Sequence, residues 1–188
     1  MLSVIIPTDE SERALVPTLA ALVPGATAGA IREVIVADKG SQDQTAEVAD
    51  IAGCRLLVAP PPLAGRLRAA AALARASWLM FLRPGIAPDP SWIPETLRFI
   101  EAAELSGKPE GQAAVFSPGP VRSRALVAAL RARLSWQPRP EQGLIIAKRL
   151  YDSLGGHRDG VDDCEADLLR RIGRRRRVVM QTAAMVVD

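Results

Sequence analysis

Short apolar runs alternate along this chain with stretches whose apolar residues recur at helical spacing. Leu2-Ser3-Val4-Ile5-Ile6 opens as a strand, and Pro7-Thr8 ends it. Residues 10–22 have the period of a helix, with Pro17 tolerable only near a first turn and Pro24-Gly25 as the stop. Val34-Ile35-Val36-Ala37 is a largely β-branched run that reads as a strand buried on both faces. A helix over 45–52, closed by Gly53, leads to a strand at 55–58. Ala59-Pro60-Pro61-Pro62 cannot donate ladder hydrogen bonds and must cross the surface. An alanine-rich helix at 63–75 and a strand at 78–82 follow, broken by Arg83-Pro84-Gly85.

Farther on, the pattern gives a helix at 91–105 and a strand at 113–116, then a helix at 121–136 and a strand at 144–147. A short helix at 148–154 ends at Gly155-Gly156. A helix at 163–172, a basic run at 174–177 and a closing strand at 178–187 complete the chain. This alternation predicts an α/β fold: a mostly parallel central sheet with helices on both faces.

Composition changes the picture in a few places. With 188 residues the chain is long enough for one sizeable domain, and 48% apolar residues can fill its core. Aromatics are only 4%, so that core is built from Ala, Val, Leu and Ile. A net charge of +3 gives no argument for a nucleic-acid partner. Cys54 and Cys164 lie far apart without partners at metal-ligand spacing, which predicts a reduced, cytoplasmic protein. No apolar run reaches the ~18 residues of a membrane span, and Met1 leads straight into a strand without a signal peptide.

The residues at the strand ends set several chemistries aside. Pro7-Thr8-Asp9-Glu10 is not the glycine-rich turn of a dinucleotide site, and no GxxxxGK phosphate loop is present. The single histidine, His157, makes a histidine metal cluster impossible, and after a Gly-Gly turn it reads as a solvated loop residue. Asp38 is the more informative residue. A carboxylate at the tip of a buried parallel strand sits where open α/β sheets collect ligands, although it could equally only cap the next turn.

Ser3-Val4-Ile5-Ile6-Pro7-Thr8, with Val34-Ile35-Val36-Ala37-Asp38, Gly40-Ser41 and Asp43, resembles the opening of family 2 glycosyltransferases of the GT-A fold. The likeness is strongest to a small bacterial branch associated with arsenosugar biosynthesis, and it runs from residue 2 to about residue 182. It implies one domain over 1–188, with a nucleotide-binding half at 1–90 and an acceptor half at 91–188. It also implies an inverting transfer to a hydroxyl from a nucleotide-sugar, the expected nucleotide being UDP. Pro7 and Thr8 would border the nucleoside, Asp38 would accept a hydrogen bond from the base, and Asp43 would brace the loop. Arg66 and Arg68 would meet the diphosphate, or else merely solvate a helix face. Glu141-Gln142 stands for the family's Asp-Gln near the sugar and acceptor.

The chain departs from the resemblance where that family carries acidic metal ligands, because Arg83-Pro84-Gly85 stands there instead. The expectation is a protein without a metal site or need of a divalent cofactor, in which Arg83 grips the diphosphate. The family's base falls on Glu165 when Gly155-Gly156 and Asp167-Leu168 set the register, with Asp162 and Asp163 as alternatives. The same acids could simply dress a helix N-terminus. Two functional readings result: an active transferase, or a degenerate relative that only binds nucleotide or a partner. The arginines of 121–136 and 174–177 suit peripheral contact with an anionic bilayer and a lipid-linked acceptor, while the leucines of 121–136 could equally pack on the sheet.

Overall fold

In the computed structural model, which describes residues 1–106, 112–118 and 139–187, eight strands form one sheet. The helix expected at 121–136 lies outside the described residues. The strands are β1 (Leu2–Thr8), β2 (Ile31–Asp38), β3 (Arg55–Val58), β4 (Trp78–Phe81), β5 (Ile86–Pro88), β6 (Ala113–Pro118), β7 (Leu144–Ala147) and β8 (Arg177–Val186). The described helices are α1 (Glu12–Thr27), α2 (Thr45–Ile51), α3 (Leu63–Leu73), α4 (Trp92–Leu105), α5 (Lys148–Ser153) and α6 (Cys164–Ile172).

The sheet order is β3-β2-β1-β4-β7-β6-β8-β5. The first four strands are all parallel, as the buried apolar runs require. Beyond β4 the sheet is mixed: β7 is antiparallel to β4 and β6, and β8 is parallel to β6 but antiparallel to β5. Right-handed crossovers place α1 and α2 on one face, since β1, β2 and β3 step in one direction. The return from β3 to β4 reverses that direction and puts α3 on the other face.

Two elements differ from the sequence pattern. β1 continues through Pro7 and Thr8, whose positions pair with Ala37 and Asp38 of β2. Helix α1 runs on through Pro17, Pro24 and Gly25 to Thr27. Its buried face of Leu15, Thr18, Leu19, Leu22 and Gly25 is what holds it against the two proline breaks. Gly25 permits a close approach there, because a Cβ at that position would run into the Trp92 ring of α4. The backbone of α1 also receives outside donors: Gly85 N–H reaches Ala14 O at 2.8 Å, and Trp92 Nε1–H reaches Ala21 O at 3.3 Å.

β5 was not legible in the pattern. It follows β4 after the short link 82–85 yet pairs with β8 at the far edge, so the sheet must curl to bring that edge back toward α1. Val187 N–H to Gly85 O, 2.8 Å, closes the curl. Among the described residues no helix is long and apolar enough to cross a membrane.

Candidate active site

Strand order 3-2-1-4 reverses direction between β1 and β4, and a crevice opens beyond the carboxyl ends of those two strands. Here that crevice is a cleft of about 600 Å³, within the size range of small-molecule sites. Pro7 and Thr8 line it from the end of β1, Arg83 from the turn after β4, Arg66 from α3 and Glu165 from α6. Five of the residues singled out in the sequence, from both halves of the chain, therefore share one space. Asp9 and Lys39 also line it, paired at 2.6 Å, and sequence reasoning missed both.

Asp38 builds this rim from beneath. It is 2% exposed, and its carboxylate accepts four hydrogen bonds within the protein. Thr8 Oγ1 donates at 2.7 Å and Ser41 Oγ at 2.6 Å to Oδ1, while the Gly40 and Ser41 amides each donate to Oδ2 at 2.7 Å. All four lone-pair positions are taken, so in this conformation Asp38 shapes the turn and anchors Thr8, leaving no acceptor for a base. Burial pushes its pKa up, but the Ser41, Thr8 and Gly40 bonds outweigh it and hold the carboxyl below its ordinary range.

Asp43 ties its loop to two helices. It accepts Thr45 N–H and Glu12 N–H, both at 3.0 Å, so one carboxylate serves the first turns of α2 and α1. Glu10 returns the tie by accepting the Gln42 and Asp43 amides.

The two arginines of α3 part company. Arg66 is 5% exposed, and its Nε has no hydrogen-bond partner among the described residues. Burial pushes its guanidinium below the usual range, against the attraction of Asp9 and Asp38. An enclosed, charged and unpaired donor on a cleft wall calls for an anion. Arg68 does not reach the cleft: its guanidinium binds His157 O and Asp159, both at 2.5 Å, tying α3 to the 157–159 loop.

Arg83 is engaged with protein carboxylates. Its Nε and Nη2 donate to Glu165 Oε2 at 2.8 and 2.5 Å, and Nη1 lies 3.3 Å from Glu141. The expectation placed this guanidinium on the diphosphate; here its donors are turned to protein carboxylates. Glu165 is 8% exposed. Burial raises its pKa above the ordinary range, with the Arg83 bonds and charge opposing. Both bonds fall on Oε2, so Oε1 carries neither of them.

Two other candidates have structural duties. Asp163 is the N-cap of α6, accepting Glu165 N–H at 3.0 Å and Ala166 N–H at 2.9 Å. Gln142 is buried, donating to Phe116 O at 2.7 Å and accepting Arg139 N–H at 2.9 Å, and so does not face the cleft. His157, expected in solvent, is 1% exposed and bonded to Tyr151.

Comparison with known proteins gives a family for the sequence and shared structures for the fold. The model of glycosyl transferase family 2 matches residues 3–108. No curated protein matches the chain in sequence. Among solved structures, S. aureus TarS 1-349 superposes with a TM-score of 0.73 at 17% identity, over 99% of this chain and 60% of that one. TarS 1-349 in complex with UDP-GlcNAc gives 0.72 at 18% identity, over 100% and 58%. Glucosyl-3-phosphoglycerate synthase from Mycobacterium tuberculosis, in complex with Mn2+, UDP and glucosyl-3-phosphoglycerate, gives 0.68 at 22%, over 95% and 68%. These likenesses establish a GT-A fold, and the chain spans about 60% of the length of the TarS chain it matches.

The synthase corrects the expectation that no divalent metal is required, because its structures hold Mn2+ together with UDP or UDP-glucose. Among the described residues of this chain, no three His, Cys, Asp or Glu side chains come together to hold an ion.

Proposed function

Because the chain belongs to glycosyl transferase family 2, we propose that it transfers a sugar from a uridine-diphosphate donor to a hydroxyl acceptor, with inversion at the anomeric carbon. The observation that carries this reading is the meeting of Thr8, Arg66 and Glu165 on one cleft at the switch point of the sheet. The nucleoside lies against Pro7 and Thr8, on the rim that Asp38 and Asp43 hold rigid. Arg66 and Lys39 offset the diphosphate, Arg66 through the donor that lacks a partner.

Glu165 acts as the base. The acceptor oxygen attacks the anomeric carbon, the bond from that carbon to the β-phosphate oxygen breaks, and the hydroxyl proton passes to the Glu165 carboxylate. Arg83 keeps that carboxylate ionised and aimed, which its burial alone would oppose. The donor half is 1–90 and the acceptor half is 91–188. Glu141, half-exposed beside Arg83, lies on the acceptor side.

Calorimetry with UDP, in the presence of manganese, tests the pocket. Arg66→Ala is expected to weaken UDP binding by roughly 1.5–3 kcal/mol, the cost of losing a charge-assisted hydrogen bond. Equal affinities in wild type and variant would remove Arg66 from the site, and no binding by wild type would remove the site itself. Binding without turnover would favour the degenerate alternative, which the replacement of the acidic motif by Arg83-Pro84-Gly85 supports.

The acceptor surface carries a second expectation. Arg174, Arg175 and Arg176 are exposed on a 3-10 turn, with Val178 and Val179 also exposed just beyond it. Such a patch suits an anionic lipid surface, where each basic residue contributes ~1 kcal/mol. In flotation assays at low salt, the protein is expected to rise with vesicles containing phosphatidylglycerol and to stay behind with neutral ones. Equal behaviour in the two would rule this contact out.

A further inference from the structure

His157, 1% exposed, is a buried ionisable side chain near the base that the proposed reaction leaves unused. Its position is over-determined. The ring meets Phe81 edge-on, with centroids 4.9 Å apart, and lies 5.5 Å from the Tyr151 ring. Tyr151 can approach because Gly156 has no Cβ; one placed there would stand 2.9 Å from the tyrosine ring.

The Tyr151 hydroxyl meets His157 at two nitrogens. Tyr151 Oη accepts the His157 backbone N–H at 3.3 Å and lies 2.9 Å from Nδ1. With the hydroxyl's single proton given to Nδ1, the arrangement the proposal below takes, the neutral imidazole carries its own proton on Nε2. Among the described residues Nε2 has no hydrogen-bond partner. His157 and Glu165 both border a small cavity of about 10 Å³, walled elsewhere by Phe81 and Leu169. That volume is about what one water occupies, and the two polar walls supply a donor and an acceptor. Glu165 thus faces two spaces, the cleft on one side and this cavity on the other.

We propose that His157 is a positioning residue for Glu165: through one water in this cavity, its Nε2–H supports the carboxylate oxygen that Arg83 does not bind. With Arg83 fixing Oε2 and the water fixing Oε1, the carboxylate plane is set from both sides. This rests on reading Glu165 as the base. The charged groups around the pair are Arg68 on α3, Arg171 and Asp167 on α6, its N-cap Asp163, and Arg83 with its partner Glu141 beside Glu165. Substitutions at His157 leave all of them in place.

The test follows the Glu165 carboxyl itself by carbon-13 NMR of protein labelled at the glutamate carboxyl carbons, the signal being assigned by its loss in Glu165→Gln. His157→Phe keeps a ring among the aromatics but removes the donor. It is expected to raise the Glu165 titration midpoint by roughly one pH unit, the effect of losing one supporting hydrogen bond. His157→Gln, whose amide places an N–H near Nε2, is expected to return most of that shift. An unchanged midpoint in His157→Phe, or His157→Gln behaving like His157→Phe, would overturn the proposal. Should His157→Phe not fold, nitrogen-15 shifts of the wild-type ring decide instead, since a proton on Nδ1 rather than Nε2 excludes the bridge. The titration needs no turnover. A protein that proves inactive still reports the coupling, and an intact coupling with full activity in Glu165→Gln refutes only the base assignment.

Discussion

Glu165→Gln is expected to lower release of UDP from UDP-glucose or UDP-GlcNAc, with water as acceptor, by about 100- to 10,000-fold, the span for loss of a general base. Glutamine keeps the length and shape of the side chain but cannot accept a proton at neutral pH. UDP affinity is expected to hold or tighten, because Arg83 loses one of its two carboxylate partners and turns toward the cleft. Glu165→Asp keeps the charge and withdraws it by one methylene, for which about a 100-fold loss is expected. Asp163→Asn separates the neighbouring candidate, since asparagine still caps α6 and should leave turnover near wild type. The pH dependence has a defined sign. The base must be ionised and its pKa is raised by burial, so the rate rises with pH through a midpoint above the ordinary glutamate range. Full activity in Glu165→Gln, or loss of activity in Asp163→Asn, would sink the assignment.

How much of this was legible in the sequence depends on the range of the interaction. β3 and β7 were read to the residue, because a short apolar run bounded by turn residues is a local signal. Asp38 was legible as a strand-tip carboxylate. Its partners Gly40 and Ser41 are also local, so the turn-capping alternative could be named, though not decided, before the structure. β5 was missed because three residues ending in Pro88, just after Pro84-Gly85, show no period. Helix α1 was cut short because a proline rule weighs local geometry, whereas the burial of Leu22 and Gly25 against other elements decided the outcome.

The site itself was partly visible, since the residues around it could be listed but not their partners. Arg83 and Glu165 are 82 positions apart, and Arg68 and His157 are 89 apart. No spacing rule reaches that far. Arg66 and Arg68 looked equivalent as a pair two residues apart, yet two steps on a helix turn a side chain by about 200°, to nearly the opposite side. One therefore faces the cleft and the other the 157–159 loop. For His157 a local signal did exist. Tyr151 six residues earlier, with a Gly-Gly turn between, lets the chain fold back and bury both rings. A histidine following that pattern is placed by the tyrosine, not by solvent.

Acid is expected to destabilise this protein through His157 in a window that can be separated from its carboxylates. Burial, with the nearby charges of Arg171 and Arg68, pushes the pKa of His157 down to about 3, against an ordinary value near 6.5. Between those values the unfolded chain binds a proton that the folded chain refuses, so stability falls as pH falls. The contribution is whole above pH 6.5. On the order of 2–3 kcal/mol should be lost by pH 4.5, at 1.36 kcal/mol for each unit. Asp38, Glu33 and Glu95 have pKa values below their ordinary range, so their contribution is present above that range and is lost only at lower pH. Glu165 acts in the opposite sense, since its raised pKa makes its ionised form the less stable one in the fold. The comparison is therefore made in the Glu165→Gln background, where that contribution is gone. Urea midpoints at pH 7, 6, 5 and 4.5 are expected to fall steadily with His157 present and to stay nearly level with His157→Phe. Parallel curves for the two would show that the ring accepts its proton within the fold. A charged imidazole donates from both nitrogens and cannot accept the Tyr151 hydroxyl proton at Nδ1. The same titration thus reports whether the tyrosine bond that orients His157 survives at the pH chosen for the turnover assays.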